Sequence, residues 1–194
     1  MSYADLRKNG WKSVATVTNF AVETLKNTMF KILFDVIDNG IASGAPNYIN
    51  ETTAKISQAT ADAAALYLND RANGTSVLIA LSKYIQQVSK LTGFVSDDMR
   101  NEVHRTGFLG SYDGVELARI SSAHKLADGS TQIKDKRMFG VAGKIGNLDM
   151  KGDVRVLETM DNNDEKVVIK VTGFEFGYAF NADTLENVCV VAIA

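Results

Sequence analysis

The chain has 194 residues, of which 45% are hydrophobic, so it can bury a sizeable core without disulfides or a structural metal. Its 21 basic and 23 acidic side chains give a formal charge of −2, which excludes a broad positive surface that would make duplex DNA the primary partner. One cysteine excludes an internal disulfide, and neither a cleaved leader nor a membrane span of roughly 20 apolar residues is present in the sequence. These features predict a protein made in the cytoplasm.

The first predicted element is a long helix from Trp11 to Asn39, a range without proline or glycine that ends at the stop signal Gly40. At about 1.5 Å per residue, this helix would be a rod of roughly 42 Å. Its wide apolar surface favours cover by a sheet or by neighbouring subunits, although an ordinary core helix is the alternative. The apolar residues are Val22, Leu25, Met29, Ile32 and Val36 on one face, with Phe20, Phe30, Phe34 and Ile37 beside them.

The segment 41–57 holds the only proline and one glycine, so it is interpreted as a connector and domain boundary. An alanine-rich helix follows from Thr60 to Asn73. The apolar run Val77–Leu81 predicts a short buried strand, after which Ser82 is expected to be the N-cap of another helix. That helix would pack inward through Tyr84, Val88 and Leu91.

The remainder of the chain, from Phe108 onward, is predicted to form strands and turns, with a polar loop around Gly129. Turn-forming residues 161–164 would join two long strands into a hairpin, and the alternation changes phase near Gly173, as a bend would cause. The fold class is therefore α+β. The predicted strands are Val115–Ile120, Met138–Ile145, Asp153–Met160, Lys166–Phe180 and Val188–Ile193.

A glycine-rich run from Gly140 to Gly146 contains Lys144 and suggests a phosphate-binding loop. Its spacing does not fit. The P-loop pattern requires a glycine where Met138 stands and a serine or threonine where Ile145 stands. Phosphate binding is therefore not expected.

Other candidate chemical groups are isolated in the sequence. His104 and His124 have no ligands at metal-binding spacing, and Cys189 lies among valines without a base beside it. The acidic pair at 97–98 fits a helix start, and the acidic run 161–165 fits a hairpin turn. No catalytic, metal-binding or cofactor-binding residue is predicted, so the chain is not expected to be an enzyme.

The order of elements carries a family resemblance. An alanine-rich helix, a strand followed by Ser82 and Tyr84, and a further helix lead into Gly107-Phe-Leu-Gly110-Ser-Tyr-Asp-Gly114-Val-Glu-Leu. This segment, about 57–120, resembles the axial domain of tailed-phage major capsid proteins, with their Gly-hydrophobic-Gly and aromatic-x-Gly-Val turn. Their fold is named after phage Hong Kong ninety-seven and is shared with encapsulin shells. The first helix resembles the family's spine helix, and the long hairpin resembles its peripheral domain.

The resemblance implies a capsid-shell fold with a peripheral-type domain (1–44 and 151–181) and an axial-type domain (45–150 and 182–194). It implies self-association into pentamers and hexamers that enclose double-stranded DNA without sequence selectivity. Loops Thr92–Met99 and Ala123–Lys136 would surround the local axis. Scaffolding and portal proteins are further candidate partners, no membrane partner is expected, and the location implied is the virion, after synthesis in the host bacterial cytoplasm.

One departure concerns the N-terminus. Family members carry an arm and an extended loop before the spine helix, whereas only Met1–Gly10 precede it here, so a truncated, matured or degenerate prophage form is expected. The alternative within the shell class is an encapsulin-like compartment protein. A small-molecule enzyme and a monomeric binding module that uses strand edges are the alternatives from other classes.

Overall fold

The chain folds as a mixture of helices and strands, which confirms the α+β class. The computed structural model describes residues 11–72, 74–91, 101, 103, 105, 109–123, 125–126, 128–152, 155–161, 166–172, 175–180 and 182–194. The helices are α1 (Trp11–Gly40), α2 (Gln58–Arg71) and α3 (Ser82–Val88), with a 3-10 helix at Ala182–Asn187. The strands are β1 (Tyr48–Glu51), β2 (Ser76–Leu81), β3 (Ser111–Tyr112), β4 (Val115–Ile120), β5 (Arg137–Ala142), β6 (Gly146–Lys151), β7 (Arg155–Asp161), β8 (Lys166–Thr172), β9 (Glu175–Phe180) and β10 (Val188–Ile193).

Contacts divide the chain into two units. The first contains the described residues within 11–30 and 148–178, and the second contains those within 31–147 and 179–194. Helix α1 therefore contributes residues to both units. The assignment of peripheral-type and axial-type domains remains a prediction.

A six-stranded mixed sheet forms the centre of the second unit, in the order β1-β10-β5-β2-β4-β3. Strand β5 is antiparallel to both of its neighbours, whereas β1 with β10 and β2 with β4 are parallel pairs. Cys189, Gly140, Leu78 and Leu117 stand opposite one another in successive strands. Side chains of one such row lie on the same face of the sheet, so this row forms a surface on which a helix can pack.

Helix α2 packs on this face of the sheet through its alanine-rich side. Ala61, Ala64, Ala65 and Leu68 are all buried, and Leu68 is 0% exposed. Small alanine side chains let the helix axis approach the sheet closely. A Cβ added to Gly140 would lie 2.7 Å from Leu68 Cδ1, so the absence of a side chain there makes room for Leu68.

The opposite face of the sheet is covered by the C-terminal part of α1. Ile37 and Ile41 are buried in one cluster with Phe139 and Val190, and the rings of Phe34 and Phe139 are 5.1 Å apart. Burying each large side chain of this kind stabilises the fold by about 1.5–3 kcal/mol. The sheet is therefore covered on both faces, which explains the continuous apolar sequence of β10.

The segment 41–57 is more than a connector, so that interpretation was wrong in part. It contributes β1 to the sheet, and the buried Asn47 side chain donates hydrogen bonds to the carbonyls of Leu185 (3.1 Å) and Val188 (2.9 Å). The Asn47 carbonyl in turn accepts from Val190 N at 2.9 Å. These bonds tie the segment to the start of β10.

Glu51 is a buried carboxylate that organises the start of α2. It accepts hydrogen bonds from the backbone and hydroxyl of Ser57 (2.8 and 2.6 Å) and from the same two groups of Thr53 (3.1 and 3.0 Å). The bond from the Ser57 hydroxyl is the largest cause that lowers the pKa of Glu51 to about 2. Ser57 is also the N-cap residue of α2, because its oxygen accepts from Thr60 N.

The prediction of Ser82 as an N-cap was wrong. Leu81 occupies that position without a side-chain cap bond, and the Ser82 hydroxyl donates to the Ile120 carbonyl at 3.1 Å. The parallel neighbour β4 ends at Ile120. The Ser82 hydroxyl therefore donates to the carbonyl at the end of that strand and does not accept from an amide of α3.

The prediction of one strand over Lys166–Phe180 was also wrong. Strand β8 pairs antiparallel with β7, whereas β9 pairs with β6. Apolar alternation shows that a segment is extended but does not identify its partner, which explains the error. Gly173, where a bend is predicted, lies outside the described residues.

We expect Gly140→Ala to destabilise the fold by about 1–3 kcal/mol, because the new methyl group would overlap the packed Leu68 side chain. Chemical denaturation measures this cost. In a Leu68→Ala background the same substitution should cost much less, since the opposing atoms are gone. Gly44→Ala, at a position open to solvent, is the matched control, and an equal loss there would contradict the packing argument.

We expect Glu51→Gln to lose about 1–3 kcal/mol of unfolding free energy at neutral pH, since an amide cannot accept all four hydrogen bonds. The folded pKa of Glu51 lies below the unfolded value, so its contribution is present above about pH 4.5 and lost as the pH falls toward 2. The unfolding free energies of Glu51→Gln and the unaltered protein should therefore converge as the pH is lowered. The exposed Glu116→Gln should show no comparable difference at any pH.

Candidate functional site

The glycine-rich run around Lys144 is divided between strands β5 and β6 and the turn that joins them. Gly140 lies inside β5 under Leu68, Gly143 forms the turn after the strand with φ +73°, and Gly146 begins β6. A Cβ at Gly146 would collide with the carbonyl of Ala179, so this glycine is required by packing. The glycines are explained by the sheet.

Cys189 is fully buried in β10, in the cluster that α2 covers. Burial raises the pKa of its thiol to about 12, so the thiol is protonated at neutral pH. A protonated, inaccessible thiol is a poor nucleophile. The position is therefore structural.

Several predicted groups cannot be placed. His104, His124, Asp97 and Asp98 lie outside the described residues, as do residues 162–165 of the acidic turn, although Asp161 is described in β7 opposite Lys166. Among the described residues, no three His, Cys, Asp or Glu side chains are grouped so that they could hold a metal ion. No helix in that part of the chain is long and apolar enough to cross a membrane.

An ion-pair cluster joins the end of α1 to the start of β5. Asp38 accepts hydrogen bonds from Lys134 Nζ (2.9 Å) and Arg137 Nε (3.0 Å), and its side chain is only 6% exposed. Burial alone would raise the pKa of Asp38, but the two cationic donors outweigh it and hold the pKa below its ordinary value. Asp35 is 2.8 Å from Lys31 and 3.8 Å from Lys134. The cluster fixes α1 on the sheet.

A second cluster stands beside α3. The Tyr84 hydroxyl donates to Asp135 Oδ1 at 2.9 Å and accepts from Lys136 N at 3.0 Å, while Lys83 pairs with the same carboxylate. The hydrogen bond from Lys83 is the largest cause that lowers the pKa of Asp135. Burial, followed by the bond to Asp135, raises the pKa of Tyr84. All of these groups have partners within the chain.

The loop Ala123–Lys136, predicted to surround the local axis, is anchored in its described part. Leu126 and Ile133 are buried, whereas Lys125 and Lys134–Lys136 are exposed. The loop therefore presents charged side chains from a fixed base. The companion loop, residues 92–99, lies outside the described residues.

Exposed apolar side chains are the remaining candidate for a functional surface. The described residues include eight large apolar side chains that are exposed, and six of these belong to the first unit. The most exposed of them is Phe20, at 66%. Single exposed apolar residues are ordinary on a protein surface, but these six share one unit, which makes that unit the candidate for an interface. We call these six the apolar surface: Val17, Phe20, Phe30, Leu148, Leu157 and Tyr178.

Sequence analysis identified only part of the apolar surface. It noted Phe20 and Phe30 beside the helix stripe. It missed Leu148, which lies in an unassigned strand, and Leu157, which lies at an alternating position of a predicted hairpin. Alternation separates the two faces of a strand but does not show which face stays uncovered.

A family model described as "SPbeta prophage-derived putative capsid protein YonB" matches residues 3–183. A search of curated proteins finds no match.

Solved structures also resemble the chain. A virus-like particle from Pyrococcus furiosus aligns with 98% of this chain and 71% of its own, at 14% identity and a TM-score of 0.56. This likeness shows a shared fold.

Two further structures align over a smaller share of the chain. An empty GTA particle capsid has 14% identity and a TM-score of 0.46 over 76% of this chain. The satellite phage P4 procapsid with its size determination (Sid) protein has 8% identity and a TM-score of 0.46 over 77%. The chain spans about half the length of each, 49% and 47% respectively.

We expect Cys189 to resist a thiol reagent such as DTNB in the folded protein at pH 8, because its thiol is buried and its raised pKa leaves little thiolate. One equivalent should react after unfolding in guanidinium. Rapid reaction without denaturant would show that the thiol is accessible and would contradict its structural assignment.

Proposed function

Because the chain belongs to the YonB family of prophage-derived capsid proteins, we propose that it builds a shell by binding copies of itself through its apolar surface. The protein is a structural capsid subunit. The observation that supports this mode of assembly is the concentration of exposed apolar side chains in the first unit. Burial of such side chains between copies would supply the free energy of association.

Helix α1 would be the spine of the subunit. It is 30 residues long, or about 45 Å at 1.5 Å per residue, and its C-terminal part is held on the sheet by apolar packing and by Asp38. Residues 1–44 and 151–181 would form a peripheral-type domain, with the β7–β8 pair as its hairpin. Residues 45–150 and 182–194 would form the axial-type domain around the six-stranded sheet.

The proposed shell consists of pentamers and hexamers that enclose double-stranded DNA. The near-neutral chain would contact that DNA weakly and without sequence selectivity. Scaffolding and portal proteins are proposed partners, and the subunit would be made in the host bacterial cytoplasm and become part of the virion. The function needs no catalytic site, cofactor or metal.

An encapsulin-like compartment is the second candidate, since that class uses the same type of fold. The contents of purified particles distinguish the two. Nuclease-protected DNA supports the capsid proposal, whereas an enclosed cargo protein without DNA supports the compartment.

We expect Phe20→Asp to reduce particle formation by at least about tenfold, because a charge replaces the most exposed apolar side chain of the apolar surface. Light scattering and negative-stain microscopy of the purified protein measure assembly, and circular dichroism confirms that the chain is folded.

The matched control is Asn19→Asp, which adds the same charge at the neighbouring exposed position. It should assemble like the unaltered protein. Equal assembly of Phe20→Asp and the control would refute the role of the apolar surface. Failure of the unaltered protein to assemble, alone or with a full-length homologue, would refute the proposed function.

A further inference from the structure

Positive side chains gather at one end of the sheet in the second unit. The parallel strands β2 and β4 end side by side at Leu81 and Ile120, and β5 begins at Arg137 next to them. Side chains at these strand ends therefore lie close together, and the loop that follows β4 adds Lys125. We call this region the basic end: Lys83, Arg119, Lys125, Lys134, Lys136 and Arg137.

The described carboxylates neutralise only part of this charge. Asp135 pairs with Lys83, and Asp38 pairs with both Lys134 and Arg137. Among the described residues, no carboxylate forms a salt bridge with Lys125 or Lys136. The basic end therefore keeps an excess of positive charge, on a chain whose net charge is negative.

The backbone of Lys136 is held by hydrogen bonds. Its backbone has φ +63°, a conformation that non-glycine residues seldom adopt. Its N–H is fixed by Tyr84 Oη and by Asp135 Oδ1, each at 3.0 Å. The backbone from which this exposed lysine extends is therefore fixed.

Negative side chains gather at the other edge of the same sheet, around the β3–β4 turn. Tyr112 donates to Asp62 at 2.5 Å, and Asn69 donates to the Asp113 carbonyl at 2.7 Å, so both ends of this patch are tied to α2. We call this region the acidic edge, and all four of its residues are exposed: Asp62, Asp70, Asp113 and Glu116.

The carboxylates of the acidic edge likewise have few cations beside them among the described residues. No described cation forms a salt bridge with any of its four carboxylates. The neighbouring cation Arg71 lies over the Tyr67 ring, 3.8 Å from its centroid, and Lys144 lies on the turn after β5. Two cations against four carboxylates leave an excess of negative charge.

We propose that two copies dock head to tail, with the basic end of one copy on the acidic edge of the next. This inference rests on the proposed self-assembly and names the surfaces that set its direction. The two patches differ and belong to one chain, so their contact is heterologous and repeats from copy to copy, as closure of a ring requires. Complementary potentials of this kind fix the register of a contact and speed encounter.

Charge reversal with rescue tests the proposal. Lys125→Glu with Lys136→Glu reverses two cations of the basic end and removes its net positive charge, and Asp70→Lys with Glu116→Lys makes the acidic edge positive. Each pair alone should raise the concentration needed for assembly by about tenfold or more, since each removes the charge complementarity between the two patches. The four changes combined should recover part of the lost assembly, because the changed side chains of the two patches again carry opposite charges.

The matched control is Lys55→Glu with Lys90→Glu, which makes the same change in net charge at two exposed positions outside both patches. It should assemble normally. Assembly of the unaltered protein should also weaken between 0.1 and 1 M salt, where the Debye length falls from about 10 to 3 Å. Circular dichroism checks that every variant is folded.

Two outcomes would overturn the inference while leaving the proposed function intact. One is normal assembly of both reversed pairs, and the other is loss without rescue in the combined variant. If the Lys125 and Lys136 changes abolish retention of a fluorescent duplex DNA but leave assembly unchanged, the basic end binds nucleic acid instead of a second copy. If the unaltered protein does not assemble, the proposed function itself fails.

Discussion

The close approach of α2 to the central sheet is the constraint on which the second unit depends. Gly140 stands between Cys189 and Leu78 in neighbouring strands, and Leu68 fills the space that a side chain at this position would occupy. A longer residue would lift the helix from the middle strand of the sheet. The buried alanines of α2 also allow this close approach, because small side chains let the helix pack nearer to the sheet.

That packing leaves the second face of the sheet to α1. The C-terminal part of the helix is fixed by the Phe34–Phe139 contact and by the pairing of Asp38 with Lys134 and Arg137. Its preceding part belongs to the other unit and exposes Val17 and Phe20. One helix therefore takes part in the core of one unit and carries exposed apolar residues in the other.

Local periodicity predicted α2, β2 and β10 well, because each element satisfies its own pattern of burial. Periodicity could not predict the role of Gly140, because the need for a glycine in this strand arises from Leu68 of the helix that covers it. The buried Glu51 was missed for a similar reason: its four hydrogen bonds come from a polar segment that looked like a connector. The partner of β9 depends on pairing between distant segments, which periodicity does not encode.

Apolar and charged surfaces contribute differently to assembly. Exposed apolar side chains such as Phe20 supply affinity but little orientation, because hydrophobic attraction is not directional. Opposed charges supply orientation, whereas each exposed pair contributes only about 0–1 kcal/mol. A shell needs many weak contacts with one geometry, so that misplaced subunits dissociate before the lattice closes. This subunit meets both requirements. Its exposed apolar residues are concentrated in one unit, and the basic end and the acidic edge of the other unit carry opposite charges.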